Sequence, residues 1–120
     1  MSITAHKGSE ANSMIEIICD EKADGGASHI YKIRTHLSAG PDVFADIKFQ
    51  QGAVTEVGRN GITDESLIAV VIDRLRGFQC GPFACRENAL VITKLEEAMH
   101  WLNHRTADRV ARGVEGKSAA

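Results

Sequence analysis

The residues of this chain best suited to chemistry are three arginines near its end, Arg105, Arg109 and Arg112. Their spacings of four and three bring them onto one side of a helix. A guanidinium forks onto carboxylate or phosphate oxygens as the point charge of lysine does not, and the stripe holds no lysine. Capture of an anion is one reading of the pattern. The other is that cations near a helix C-terminus complement its dipole. Asp108 lies among the arginines and offsets part of their charge.

Other candidate chemistry is thinner. His100 and His104 stand four apart and could grip a metal from one helix face. Glu96 is the one same-face residue that could join them, and a zinc site asks for more. Cys80 and Cys85 carry no local signature of a thiol nucleophile. Gly25-Gly26 stands alone rather than in a phosphate loop, and neither a Ser/His/Asp arrangement nor a carboxylate pair is visible. The residues therefore point to binding rather than turnover, with no metal, no cofactor and no catalytic residue.

Composition narrows the partners. A chain of 120 residues with 43% hydrophobic content suits one domain with a modest core, and with 5% aromatics aliphatic side chains must fill it. A net charge of -2 argues against polymeric nucleic acid, which needs a broad basic surface. The longest apolar run, residues 67–72, is far too short for a membrane span. Three cysteines at unpromising spacing fit reduced thiols in a cytoplasm, with Cys80 and Cys85 as small buried caps flanking a turn.

These residues need elements to position them, and the pattern divides the chain. Residues 1–13 are small, polar and aperiodic, and are expected to be flexible. Residues 14–57 read as strands: Met14-Ile15-Glu16-Ile17-Ile18-Cys19, His29-Ile30-Tyr31-Lys32-Ile33-Arg34, Val43-Phe44-Ala45-Asp46-Ile47-Lys48-Phe49, and a short last strand over 53–57. Residues 63–112 read as a helical hairpin. Thr63 is a good N-cap, with Asp64 and Glu65 in the first turn. Ile68, Val71, Ile72, Leu75 and Phe78 form the first apolar stripe, and residues 67–72 are apolar almost all round. Gly81-Pro82 breaks the chain, Pro82 can open the second helix, and Ala89, Ile92, Leu95, Met99 and Leu102 form its stripe. A flexible tail, 113–120, completes an α+β fold in which an N-terminal antiparallel β-sheet packs against a C-terminal antiparallel two-helix hairpin.

The runs Asn60-Gly61-Ile62-Thr63, Asp73-Arg74-Leu75, Phe78-Gln79, Gly81-Pro82-Phe83-Ala84-Cys85-Arg86-Glu87-Asn88, Arg105-Thr106-Ala107-Asp108-Arg109 and Arg112-Gly113-Val114-Glu115-Gly116 resemble the helical hairpin of phage anti-defence sponges. That hairpin is shared by the Thoeris anti-defence proteins and the anti-CBASS cyclic-oligonucleotide sponges. The strand-rich first half is similar to the Thoeris type. The resemblance implies a protein of the infected host's cytoplasm that binds a nucleotide immune messenger without cleaving it. The messenger would be a cyclic ADP-ribose isomer, with cyclic di- or trinucleotides taken by some members at separate sites.

By the same resemblance, a pocket of one aromatic, one asparagine and two arginines four apart falls on Phe78, Asn88, Arg105 and Arg109, with Phe83 as the rival aromatic. Phe78 is equally readable as a core residue, and Asn88 as a backbone partner near the start of its helix. Asn88 and Arg105 are 17 residues apart, roughly 25 Å along one helix. Either the chain bends near Arg105, or a second copy packs its hairpin antiparallel and completes the pocket; the second is expected, with paired pockets across a twofold interface. The resemblance further implies dimers that assemble into hexamers, as a trimer of dimers. Two other classes stay open: a hydrolase of the same messenger using His100 or His104 as general base, and a protein–protein adaptor whose arginine stripe meets an acidic surface.

Overall fold

The computed structural model describes residues 1–23 and 25–113. The elements in chain order are β1 (Ser2–Ile3), α1 (Glu10–Ser13), β2 (Glu16–Cys19), β3 (Ile30–Thr35), β4 (Val43–Lys48), α2 (Val54–Val57), α3 (Asp64–Gln79) and α4 (Arg86–Ala111). Strands then helices make an α+β fold. Beyond Gly113, the expected tail lies outside the described residues.

The chain divides into two compact units. The first holds Met1–Gln51 and Arg59–Ile62; the second holds Gly52–Gly58 and the hairpin from Thr63 onward.

In the first unit β1 to β4 lie side by side in chain order, every pair antiparallel. The register sorts the residues by face. Ile17 pairs with Ile33 and Ile33 with Ala45, while Cys19 pairs with Tyr31 and Tyr31 with Ile47. All but the exposed Ala45 are at least partly covered, and Phe49 joins them, its ring meeting that of Tyr31 edge-on at 5.6 Å. The opposite face is exposed and mixed: Ile18, Ile30 and Phe44 stand among the pairs Arg34–Glu16 at 2.6 Å and Lys32–Asp46 at 3.8 Å. This is the period-two alternation of a sheet with one wet side.

Two stretches depart from the sequence reading. Ser2–Ile3 forms an edge strand on β2 although residues 1–13 show no periodicity, because a two-residue strand needs only a free neighbouring edge. The short last strand expected over 53–57 is instead α2, a single helical turn whose Val57 and Gly58 amides bond back to Ala53 and Val54. Gly52, at φ 84°, turns the chain out of the sheet before another strand can begin.

The run Asn60-Gly61-Ile62-Thr63 then has a clear structural task. The Asn60 side chain accepts from the Gln51 amide and donates to the Gln51 carbonyl, both at 2.8 Å. Ile62 bridges Phe49 in parallel: its amide reaches the Lys48 carbonyl at 2.8 Å, and its carbonyl the Gln50 amide at 3.0 Å. Between them Gly61 crosses so close to the Phe49 carbonyl and the Gln50 nitrogen that any Cβ would overlap them. Thr63 caps α3 immediately afterwards.

Gly61→Ala should therefore cost about 1–3 kcal/mol, since the clash is with backbone that cannot swing aside. Urea unfolding would read this as a lower midpoint; a midpoint equal to wild type would show that the crossing tolerates a side chain.

Candidate functional site

The hairpin begins with a reciprocal cap. Thr63 Oγ1 accepts from the Ser66 amide at 3.2 Å, and Ser66 Oγ accepts from the Thr63 amide at 3.3 Å. From there α3 runs 16 residues to Gln79. Its covered side carries Leu67, Ile68, Ile72, Leu75 and Phe78, of which Ile72 is the most buried, at 6% exposure. Val71, expected within this stripe, is exposed with Val70, so residues 67–72 are covered on one side and bare on the other.

At the turn, the Gln79 amide holds Cys85 by both backbone groups, accepting from its N–H at 2.9 Å and donating to its carbonyl at 3.0 Å. Pro82 sits inside this turn and does not open the second helix, because Cys85 takes the N-cap place and α4 starts at Arg86. The Cys85 thiol accepts from the Asn88 amide at 3.4 Å. Cys80 and Cys85 are exposed, not buried caps: the turn is too short to lay other residues over them.

The second helix, α4, runs 26 residues without interruption, about 39 Å at the usual helical rise. Its partly covered residues are Asn88, Ile92, Leu95, Ala98, Met99, Leu102, Thr106 and Arg109. Asn88, rather than the exposed Ala89, takes the first place in the stripe, and Arg109 the last. The helices run antiparallel: Arg76 pairs with Glu96 at 2.8 Å, and an open cleft of ≈ 660 Å³ joins Ala69, Ile72 and Asp73 to Met99, His100 and Asn103.

The structure brings some expected site residues together and separates others. Phe78 and Phe83, the rival aromatics, are neighbours at the turn, with ring centroids 6.3 Å apart and planes at 85°. Asn88 lies in the first turn of α4, just beyond them in the chain. Phe78 is half-buried and Phe83 is 72% exposed, so the hairpin end presents an aromatic edge to solvent. Arg105, Arg109 and Arg112 lie at the far end of α4. Arg105 is exposed, Arg109 is half-buried, and Arg112 is engaged by Asp108 at 3.1 Å, so the carboxylate compensates that arginine in particular.

Neither proline, 3₁₀ turn nor π-bulge interrupts α4 between the two groups, which removes the usual causes of a kink. Roughly 25 Å therefore separates Asn88 from Arg105 within one chain. His100 and His104 both pack edge-on against Trp101, at 5.6 and 5.7 Å, and Trp101 itself is 60% exposed. Among the described residues no three His, Cys, Asp or Glu side chains gather closely enough to hold a metal ion. No helix among them is long and apolar enough to cross a membrane.

Two contacts at the turn escaped sequence reasoning. The Arg74 guanidinium lies over the Phe78 ring, 4.7 Å from its centroid. The i, i+4 spacing of Arg74 and Phe78 carried that signal, since such pairs meet on a helix face. At an exposed site a contact of this kind contributes about 0.5–1 kcal/mol. The Gln79 clamp had no such signal, for it spans a turn whose conformation the sequence leaves open.

The chain is thus a strand-and-hairpin protein, with an aromatic pair and Asn88 toward one end of its antiparallel hairpin and guanidiniums toward the other. The model of the family described as "Acb2/Tad1, hairpin domain" matches residues 41–107, more than half of the chain, and the chain belongs to that family. It is also similar to Thoeris anti-defense 1 of Bacillus phage SBSphiJ7, with 62% identity over 72 residues. That match covers 60% of this chain and 51% of the relative, so it spans about half of the relative's length.

Gln79→Leu keeps the bulk but removes both bonds to Cys85, leaving that peptide to water or to nothing. The hairpin should lose about 1–3 kcal/mol, read by helical circular dichroism during urea unfolding. An unchanged transition would mean that the turn holds its shape without the clamp.

Proposed function

We propose that this chain is a phage anti-defence protein that binds a nucleotide immune messenger and withholds it from its effector without cleaving it. The ligand would be a cyclic ADP-ribose isomer, with cyclic di- or trinucleotides as further candidates. The observation that carries the reading is the family hairpin itself, bearing Phe78, Asn88, Arg105 and Arg109 on its two helices. The relative's name supports an anti-defence role.

The roles follow from the side chains. The turn aromatics, Phe78 with Phe83, stack a nucleobase; Asn88 bonds to a base edge or ribose hydroxyl. Arg105 and Arg109 fork onto the diphosphate, and Arg112, shared with Asp108, adds charge beside them. One messenger cannot span the roughly 25 Å between these groups on one α4. A second copy packed antiparallel brings its arginines to the first copy's turn, and two equivalent pockets result.

Exposed apolar side chains support such an interface. Val70 at 64% exposure, Val71, Val91 and Trp101 stand bare on the hairpin, while among the described residues Cys19 and Ile72 are the only buried apolar side chains and neither is fully covered. Cores this thin seldom stabilise units of such size by themselves. A homodimer is the smallest assembly the pocket requires, and it is the unit from which a trimer of dimers would be built.

Sequestration asks for tight binding without turnover. A nanomolar dissociation constant corresponds to about -12 kcal/mol, which calls for paired, desolvated phosphates. The first experiment is capture and release: load purified protein with cyclic ADP-ribose isomers and cyclic oligonucleotides, remove free ligand, denature by heat, and identify what emerges. Unaltered messenger is the expected result. Hydrolysed product would instead make the protein an enzyme, with His100 or His104 as candidate base, and no retention would favour an adaptor.

Arg109→Ala should weaken capture by about 2–5 kcal/mol, thirtyfold or more, with its circular dichroism unchanged. Wild-type affinity in that variant would overturn the assignment of the pocket. Sedimentation of the wild type should give at least a dimer, and a monomer at the binding concentration would remove the shared pocket.

A further inference from the structure

We infer that Arg74 is an additional ligand contact, which waits on the Phe78 ring and passes to the messenger's phosphate when a base takes its place. The inference rests on the sponge reading of the same site. Its basis is the occupancy of the ring. Arg74 Cζ lies 4.7 Å from the Phe78 centroid, and Phe83 approaches the same ring at 85°. A nucleobase can stack on the ring face that Arg74 covers only by moving it.

Arg74 is the neighbour that can leave. It sits one helical turn before Phe78 on α3, is exposed, and swings on a flexible stem. Three other arginines are committed to carboxylates: Arg34 to Glu16, Arg76 to Glu96 and Arg112 to Asp108. Among the described residues Arg74 has no such carboxylate, and its guanidinium rests on the ring. A base stacked on an aromatic side chain is held more strongly than an exposed guanidinium, so the exchange runs downhill.

The displaced guanidinium then finds a new partner close by. It remains tethered beside Phe78, and a nucleotide whose base lies on that ring carries its phosphate a short distance away. Two parallel N–H···O bonds to a phosphate replace one contact with a ring. An alternative role is a plain cover over the ring, which the ligand must push aside at a small loss. The two roles predict opposite signs on truncation, and that makes them separable.

The test is isothermal titration of wild type, Arg74→Ala, Arg74→Gln and Arg74→Lys with cyclic ADP-ribose isomers as probes, at low and at high salt. If Arg74 binds phosphate, Arg74→Ala and Arg74→Gln weaken binding at least tenfold and reduce its salt dependence, while Arg74→Lys recovers part of the loss through charge without the planar fork. Unchanged or tighter binding by Arg74→Ala, with wild type binding normally, overturns this role and leaves the sponge reading standing. Failure of wild type to bind any of the isomers, or cyclic oligonucleotides run beside them, overturns the sponge reading and the role of Arg74 with it. Circular dichroism of each variant guards against a folding artefact, and the Ala and Gln variants must agree for either outcome to count.

Discussion

The length and continuity of α4 constrain everything else about this molecule. A helix rises by a fixed increment per residue, so Asn88 and Arg105 are held apart as if by a ruler. A protein that needed both groups on one ligand within one chain would need a break between them, and none is present. The same continuity makes the arrangement economical for two copies. In the proposed dimer one rigid element would present half a site at each end, and antiparallel packing would bring unlike ends together.

A second constraint is the shortage of covered apolar surface. The hairpin buries one stripe from each helix, with Ile72 at its centre, while Val70, Val71, Val91 and Trp101 remain on bare faces. Large exposed apolar side chains in such numbers are a cost to a solitary chain and a resource to an assembling one. The sheet of the first unit is similarly thin: its exposed face sets Ile18, Ile30 and Phe44 beside ion pairs that contribute little individually. Binding and assembly are therefore physically linked in the proposed function, since one surface would serve both.

The turn between the helices concentrates the remaining detail. Gln79 fixes the Cys85 peptide, Cys85 caps α4 and orients its first turn, and Phe78 and Phe83 meet just before Asn88 in the chain. Arg74 reaches into the same patch from one turn away. Each of these contacts is local, yet together they gather two aromatic rings and a cation at one turn.

The sequence by itself determined the elements with strong periodicity. Alternation marked the strands around Ile17, Ile33 and Ile47, and the Thr63 cap with its three-and-four spacing marked α3 to within a residue. Such patterns are legible because burial of one face is imposed residue by residue along the chain. Tertiary structure decided what depends on neighbours distant in sequence or on backbone geometry. It made α2 a helical turn, gave β1 an edge to pair with, placed Pro82 inside the turn, and bared Cys80, Cys85 and Val71. It also made Gly61 a requirement of the passing Phe49 backbone, a contact no local pattern encodes. In the candidate site the residue types and the α4 spacing were readable in advance. The occupation of the Phe78 ring by Arg74 was not, because side chains settle their contacts only once the helix and its turn have fixed where each can reach.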